Sequence, residues 1–203
     1  ASALTLSIYV SSTLNKFEEA VKSLAGSPWI APALLSQRSK GERDIEHANS
    51  VLDRYNSAFN ASVSYLMNAE GITVASSNRN DPDSFVGKSY RFRPYFQKAF
   101  SGSATRYYAL GITSGKRGFY VSYPVKNHLG KVVGVVTIKK DLDDIEAFFS
   151  KYPLCFFISP DGITFLSSKP AMVLKSLWLL DKAAQEKLIA SRQFGNKPFG
   201  AVF

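Results

Sequence analysis

Residues 90–139 read YRFRPYFQKAFSGSATRYYALGITSGKRGFYVSYPVKNHLGKVVGVVTIK, and the punctuation of this stretch decides the fold. Pro94 suits the first turn of a short helix that runs to Phe100. Gly102 suits its C-terminal cap, because glycine accepts the left-handed φ found there at no steric cost. Three strands are expected next, near 105–110, 117–124 and 132–139, the last two joined by a turn at Asn127-His128-Leu129-Gly130. Upstream, from residue 62, the apolar period is two: Val63, Tyr65 and Met67 alternate with Ser62, Ser64 and Leu66. A second strand is predicted over 72–77, after a Glu70-Gly71 turn. Two strands, a helical crossover and a three-stranded antiparallel meander make one β-rich module.

The same pattern starts again further along. EGITVASS at 70–77 recurs as DGITFLSS at 161–168, with five of eight positions identical and the acid-glycine pair where a hairpin turn belongs. Each octet follows an apolar run, SVSYLMNA and LCFFISP. The expected architecture is therefore α+β, with two PAS-like modules built on antiparallel sheets. Asp141 and Asp143, ahead of Ile145 and Phe148, signal a short connecting helix. After the second octet an amphipathic helical stretch is expected through Leu174, Leu177, Trp178 and Leu188. Only PFGAVF remains beyond it, so the second module is expected to be smaller or incomplete. Residues 1–61 read as helical. Leu14, Phe17, Val21 and Leu24 keep helical spacing before Gly26, Ser27 and Pro28 interrupt, and Ile45, Ala48, Leu52, Tyr55 and Phe59 form one apolar stripe. The predicted divisions are 1–61, 62–145 and 146–203.

Composition narrows the function classes. The chain carries 25 Lys+Arg against 16 Asp+Glu, a net charge of +9. That excess admits nucleic acid, an anionic membrane surface or an anionic ligand. The cations are scattered, as Lys16, Lys22, Arg38, Arg54, Arg79, Lys131, Lys151 and Lys182, and form no run like a nucleic-acid arm; no nucleic-acid partner is expected. Cys155 stands alone within LCFFIS, which rules out a disulfide framework and a thiolate metal cluster and reads as a buried strand residue. No window reaches the roughly 18 apolar residues of a membrane span. The first residue is Ala, so the chain is expected to be a processed or excised piece, with any membrane anchor outside it.

Several chemical motifs fail on inspection. GITSGKRG is one residue too short between Gly111 and Gly115 for a phosphate-binding loop, and Arg117 stands where a magnesium-holding Ser or Thr is required. His47 and His128 have no cysteine or second histidine at zinc-ligand spacing. Asn78, Asn80, Asp81 and Asp83 lack the glycine and glutamate of a calcium loop, and read as loop caps. No serine sits in a nucleophile elbow. No catalytic residue, metal or cofactor is expected. What remains is Tyr90, Arg93, a tyrosine pair, Thr113 and Lys139 around a glycine-punctuated hairpin. A guanidinium offers a rigid bidentate fork and hydroxyls fill the remaining oxygen lone pairs, so such a set suits a small carboxylate-bearing ligand. Arg93 stands directly before Pro94 at a helix N-terminus, where free N–H groups add to anion affinity. Two separated cations fit two carboxylates better than a ligand with an ammonium group. The bland alternative for each is a solvated surface charge.

The segments YRFRPYFQKAFSG, YYALGITSGKRGFYVSYPV and GVVTIKKDLDD, with YLMNAEGITVASSN before them and SRQFG near the end, resemble the extracytoplasmic double-Cache sensor region of bacterial histidine kinases. The closest type is the four-carbon dicarboxylate sensor. The resemblance covers most of the chain from about residue 40. It implies a long N-terminal helix, a membrane-distal module that binds ligand and a membrane-proximal module that binds none. It places Tyr90 and Arg93, then Thr113 with the main chain near Ala109 and Gly111, and Lys139 on the ligand, with Tyr108, Ser114 and Tyr120 as further wall residues. It also implies a periplasmic location, anchoring to the inner membrane through segments outside the chain, and a homodimer formed through the N-terminal helix. Two other readings compete. One is an amino-acid or monocarboxylate chemoreceptor domain, with Asp141 as ammonium partner; the other is a hydrolase using Ser or Asp in the same pocket.

Overall fold

The computed structural model describes residues 2–35 and 38–202; Ala1, Ser36, Gln37 and Phe203, which fall in the expected helical region and the terminal PFGAVF, lie outside the described residues. In chain order the elements are α1 (Ser2–Ala25), α2 (Pro32–Leu35), α3 (Arg38–Ala58), β1 (Val63–Asn68), β2 (Thr73–Ser76), α4 (Pro94–Phe100), β3 (Thr105–Leu110), β4 (Arg117–Lys126) and β5 (Val132–Asp141). Then follow α5 (Asp143–Phe149), β6 (Phe156–Ile158), β7 (Thr164–Ser167), a single 3-10 turn at Pro170–Met172, and α6 (Lys182–Ser191). A five-stranded sheet runs in the order β2-β1-β5-β4-β3, and a separate pair is formed by β6 and β7. This α+β arrangement is the one expected from the sequence, with the second module reduced.

The chain divides into two compact units. The larger comprises Ser12–Tyr107 and Phe119–Lys140; the smaller comprises Ala1–Ser11, Tyr108–Gly118 and Asp141–Phe203. In the larger unit β1 pairs antiparallel with both β2 and β5, Tyr65 opposite Thr137 and Val63 opposite Lys139. Residues opposite one another share a face and neighbours along a strand alternate. Leu66, Val136, Ile138 and Val121 therefore point one way. They meet Phe17, Val21 and Leu24 of α1 and Ala48 and Leu52 of α3 in one apolar core. Ile45, Tyr55 and Phe59 of the predicted stripe pack against the same core. Each fully buried leucine there contributes about 1.5–3 kcal/mol relative to exposure. Residues 63–67 are all buried, so the alternation read in the sequence separates two covered faces, not core from solvent.

The polar loop after β2 is organised by Asn78. Its Oδ1 accepts from Ser76 Oγ at 2.6 Å and from Phe85 N at 3.2 Å, while its Nδ2 donates to the Asp83 carbonyl at 3.1 Å. Arg79 closes the loop onto α3 with two 2.8 Å bonds to Asp53.

In the smaller unit the hairpin 108–118 is tied by Arg117, which donates to the Phe165 carbonyl and pairs with Glu146 at 2.5 Å. Its other side is tied by residue 193: Leu110 N donates to Gln193 O at 2.7 Å and Gln193 Nε2 donates to Tyr108 O at 2.8 Å. Leu6 and Val10 of α1 face Phe149, Phe156 and Phe157 across an apolar cavity of about 380 Å³. Cys155, read from sequence as a buried strand residue, is half-buried and sits just before β6, its Sγ 3.5 Å from the Phe149 carbonyl.

The two octets fold alike in detail. Asn68 N donates to Ile72 O and Gly71 N to Asn68 O; Ser159 N donates to Ile163 O and Gly162 N to Ser159 O. Both ladders shift register at the same step, between Leu66 and Met67 and between Phe157 and Ile158. The likeness extends past the octets. Thr73 N donates to Lys88 O and Tyr90 N to Gly71 O, and in the second copy Thr164 N donates to Lys175 O and Leu177 N to Gly162 O. The helix expected through Leu174, Leu177 and Trp178 is therefore absent: Lys175-Ser176-Leu177 is extended, with Ser176 bridging Ile163 and Ala201. Open ladder groups at the start of β7 claim this segment, and they outweigh the helical spacing of its apolar residues. The helix begins only at Lys182, capped by Asp181 Oδ1, which accepts from Ala184 N at 2.8 Å.

Gly71 takes φ of +77°, and a Cβ there would lie 2.7 Å from the Arg91 Cα; Gly87 takes φ of +78° in open space. Gly87→Ala should cost about 1–2 kcal/mol, the left-handed penalty alone, and Gly71→Ala clearly more, because backbone must also move. Urea denaturation midpoints check the order, and equal losses would contradict it.

Candidate functional site

The second face of the large sheet differs from the first. Tyr65 and Thr137 lie opposite each other, and Lys139 follows Thr137 by two residues on the same strand, so all three face one way. Ser122 of β4 joins them through a 2.8 Å hydroxyl pair with Thr137, both fully buried. Tyr120, two residues before Ser122, stacks on Tyr95 of α4 with ring centroids 5.2 Å apart and planes within 8°. Tyr65 O–H donates to the Tyr95 hydroxyl at 2.8 Å, and its ring meets those of Phe85 and Tyr90 at 5.2 and 5.8 Å. Aromatic contacts of this kind add about 0.5–1.5 kcal/mol each beyond area burial. They hold the wall in one arrangement.

Arg93 enters this face from the residue before α4. Pro94 fixes the first turn, Arg93 itself is extended at φ −74° and ψ 132°, and its carbonyl accepts from Phe96 N and Gln97 N. The side chain is only 2% exposed and hydrogen-bonds Tyr107. An arginine has only donors, so the Tyr107 oxygen is the acceptor. Lys139 is 1% exposed, its backbone pinned where its carbonyl accepts from Ser62 N at 2.8 Å. Among the described residues no Asp or Glu is buried, while these two cations are. Burying a charge is costly without compensation, and two of the chain's cations are buried on this one face.

Of the residues singled out in the sequence, Tyr90, Arg93, Tyr120 and Lys139 are buried in the larger unit. Tyr108, Ala109, Gly111, Thr113 and Ser114 lie in the smaller unit. Tyr108 packs its ring among Phe157, Phe165 and Phe194, at centroid distances of 5.2, 5.0 and 6.1 Å. Ala109 is fully buried, and the turn at Gly111–Lys116 is closed by Gly111 N donating to Lys116 O and Gly115 N to Gly111 O, each at 2.9 Å. The sequence reading passed over Tyr65 and Tyr95, and of the tyrosine pair at 107–108 it named only Tyr108 as a wall residue. Strand alternation carried the signal: Tyr107 and Tyr108 are successive residues of one strand and cannot line the same wall.

The second copy lacks these groups. By the hydrogen-bond equivalences above, Leu177 stands for Tyr90, and by strand register Phe156 stands for Tyr65. The residue capping the following helix is Asp181 where the first copy has Arg93. An acid stands at this cap where the first copy has a guanidinium, so the two copies share a backbone path and differ in charge.

Burial lifts the phenols of Tyr65 and Tyr95 well above their ordinary range; neighbouring tyrosines raise Tyr65 further, while at Tyr95 the contribution of Tyr120 is opposed by the Tyr65 hydrogen bond and by Arg93. Tyr107 is raised by burial and drawn down by Arg93. A phenol whose folded pKa exceeds its unfolded value stabilises the fold fully below about pH 10, and that contribution fades as pH rises beyond it. Alkaline titration followed at 295 nm should show that Tyr65 and Tyr95 do not ionise until the protein unfolds. If all 10 tyrosines of the chain titrate together near pH 10 in folded protein, the buried pair is misplaced.

No family model matches the chain. It is 34% identical over 170 residues to the C4-dicarboxylate transport sensor protein DctB of Pseudomonas aeruginosa, covering 81% of this chain and 27% of that protein. It is 30% identical over 176 residues to the DctB of Rhizobium meliloti, covering 86% of this chain and 28% of that protein. The chain thus spans little more than a quarter of these curated relatives. The crystal structure of the Vibrio cholerae histidine kinase DctB sensor domain superposes with a TM-score of 0.91 at 31% identity, over 98% of this chain and 76% of that one. With both the sequence and nearly the whole fold shared, the chain belongs to the family of DctB sensor domains.

Proposed function

We propose that this chain is the periplasmic sensor domain of a transmembrane histidine kinase, and that it binds a small C4-dicarboxylate of the succinate, malate or fumarate type. One observation carries this reading: Arg93 and Lys139 are buried on a tyrosine-lined sheet face, and no described Asp or Glu is buried with them. Two buried cations suit the two carboxylates of a dianion, whereas the ammonium group of an amino acid would meet like charge on this face. The names of the relatives support the same ligand class. Residues 62–145 are the membrane-distal ligand-binding module in this reading, and 146–203 the membrane-proximal one. Tyr90 and Tyr120 line the site beside the two cations; contributions from Tyr108, Ala109, Gly111, Thr113 and Ser114 rest on the family resemblance alone. Homodimerisation through the N-terminal helix is supported by Leu4 and Ile8, one turn apart and exposed. Kinase output and membrane anchorage belong to parts of the protein outside this chain.

Isothermal titration with succinate tests the ligand, with a panel of amino acids as counter-probe; tight binding of an amino acid without succinate binding would overturn the reading. Arg93→Ala should lose about 2–5 kcal/mol of affinity, the cost of truncating one member of a desolvated charge pair. Lys139→Ala should lose less. Thr113→Ala should lose least, about 0.5–1.5 kcal/mol, the net worth of a neutral hydrogen bond. An inverted order would place the ligand elsewhere.

Ligand should also raise the melting temperature. At a hundredfold excess over Kd the folded state gains about 2.7 kcal/mol, which is roughly 5–10 °C for a domain of this size. Differential scanning fluorimetry reads the shift, and an unchanged curve at saturating succinate would contradict the proposal.

A further inference from the structure

We propose that Lys88, Arg91 and Lys98, exposed around the helix start that carries Arg93, form an electrostatic funnel that selects doubly charged anions by their rate of capture. The proposal rests on the dicarboxylate reading of this sheet face and gives a kinetic role to residues outside the ligand's own contacts.

The charges of the chain are unevenly laid out. Residues 84–140 contain 11 Lys+Arg and not one Asp or Glu, while the other 146 residues hold 14 Lys+Arg and all 16 Asp+Glu. The whole excess of +9 therefore sits in 57 residues, and the remainder is slightly acidic. The part of this stretch from Lys88 to Lys98 belongs entirely to the larger unit. Arg93 there is sealed, whereas Lys88, Arg91 and Lys98 are exposed. Among the described residues none of the three pairs with an acid, in contrast to Arg79 with Asp53 and Arg106 with Glu18. The backbone that carries them is fixed: Gln97 Nε2 donates to the Arg91 carbonyl at 3.3 Å, and Tyr90 N to Gly71 O at 2.8 Å.

Range decides whether such charges matter. Two residues of chain separate Arg91 from Arg93, a span of at most about 7 Å, and Lys98 lies five residues on in α4, about 7.5 Å along the axis. Both fall within the roughly 8 Å over which charges act at physiological ionic strength. Lys88 is at most about 18 Å away along the chain, inside the roughly 30 Å reach of charges at 0.01 M salt. Coulomb energy scales with the product of the charges, so a dianion is drawn to each cation twice as strongly as a monoanion. A zwitterion without net charge is drawn hardly at all from a distance. A surface of one sign over a low-dielectric body raises the local concentration of the opposite ion and its association rate by about tenfold or more. The buried pair holds the dianion once it arrives, and the exposed three set how often it arrives.

Lys88→Gln, Arg91→Gln and Lys98→Gln combined remove three charges and no buried group. Succinate Kd, measured calorimetrically at 0.01 M salt, should rise by about five- to tenfold in this variant, the loss of a steering field. Stopped-flow tyrosine fluorescence should place that rise in the association rate, with dissociation unchanged. At 1 M salt, where the Debye length is about 3 Å, variant and wild type should bind alike. Lys169→Gln, Lys187→Gln and Lys197→Gln combined take the same charge from exposed positions of the smaller unit and should change Kd less than twofold. Wild-type Kd in the first variant at low salt, a difference that persists at 1 M, or an equal loss in the second variant would overturn the funnel and leave the dicarboxylate reading standing. Failure of the wild-type domain to bind any dicarboxylate would overturn both.

Discussion

The burial of Arg93 and Lys139 on one face of a sheet constrains everything else in the larger unit. Two cations removed from water are tolerated only if the surrounding groups are polar, oriented and fixed, since each lost hydrogen bond there would leave a charge poorly solvated. This accounts for the composition of the face: tyrosines that combine apolar area with a hydroxyl, a Ser122–Thr137 pair satisfied by itself, and the Tyr65–Tyr95 bond. It also accounts for the opposite face. That side is largely apolar, from Leu66 to Ile138, with Ser64 bonded to Asn56 of α3, and its packing on α1 and α3 supplies the stability that a polar face cannot.

The internal repeat isolates what is structural from what is chemical. Gly71 and Gly162 take nearly the same backbone, φ +77° and +83°, at the same hairpin, and each is crowded by the segment that returns beside it, Arg91 in one copy and Trp178 in the other. Hydrogen bonds from residues 73 and 90 recur at 164 and 177. These are needs of the chain path and they persist in both copies. Tyr65, Tyr90 and Arg93 become Phe156, Leu177 and Asp181, positions where the path requires nothing in particular of the side chain. The two copies therefore share what the chain path needs and differ where it leaves the side chain open.

Much of this was legible in the sequence because the cues were local. The Glu70-Gly71 and Asp161-Gly162 turns, Pro94 at a helix start and the Asn127–Gly130 turn each act within a few residues, and the strands at 105–110, 117–126 and 132–141 fall close to where the punctuation puts them. Arg93 was legible from its place before Pro94 at a helix start, and Lys139 from its place on the last predicted strand of the module. What failed depended on partners distant in the chain. Lys175-Ser176-Leu177 has helical spacing, but it is extended because Ile163 and Ala201 bond to it. Which of Tyr107 and Tyr108 faces α4 depends on the side of β3 that meets it, and a pair of adjacent tyrosines does not announce that. Tyr65 read as one apolar residue in an alternating strand, because nothing in its neighbourhood reveals that Tyr95, thirty residues on, will accept its hydroxyl proton.

Strand β3 shows how the two faces meet. Arg106 points to the helical side, where its Nε donates to Glu18 at 2.6 Å and its NH2 group to Asn15 at 2.7 Å, both on α1. The next residue, Tyr107, points to the other side and to Arg93. The Arg106–Glu18 pair is partly exposed on both sides, and exposed pairs contribute about 0.2–1 kcal/mol. It is too weak to hold α1 against the sheet. The buried contacts of Phe17, Val21 and Leu24 do that, so any rigid connection between α1 and the strands runs through the apolar core.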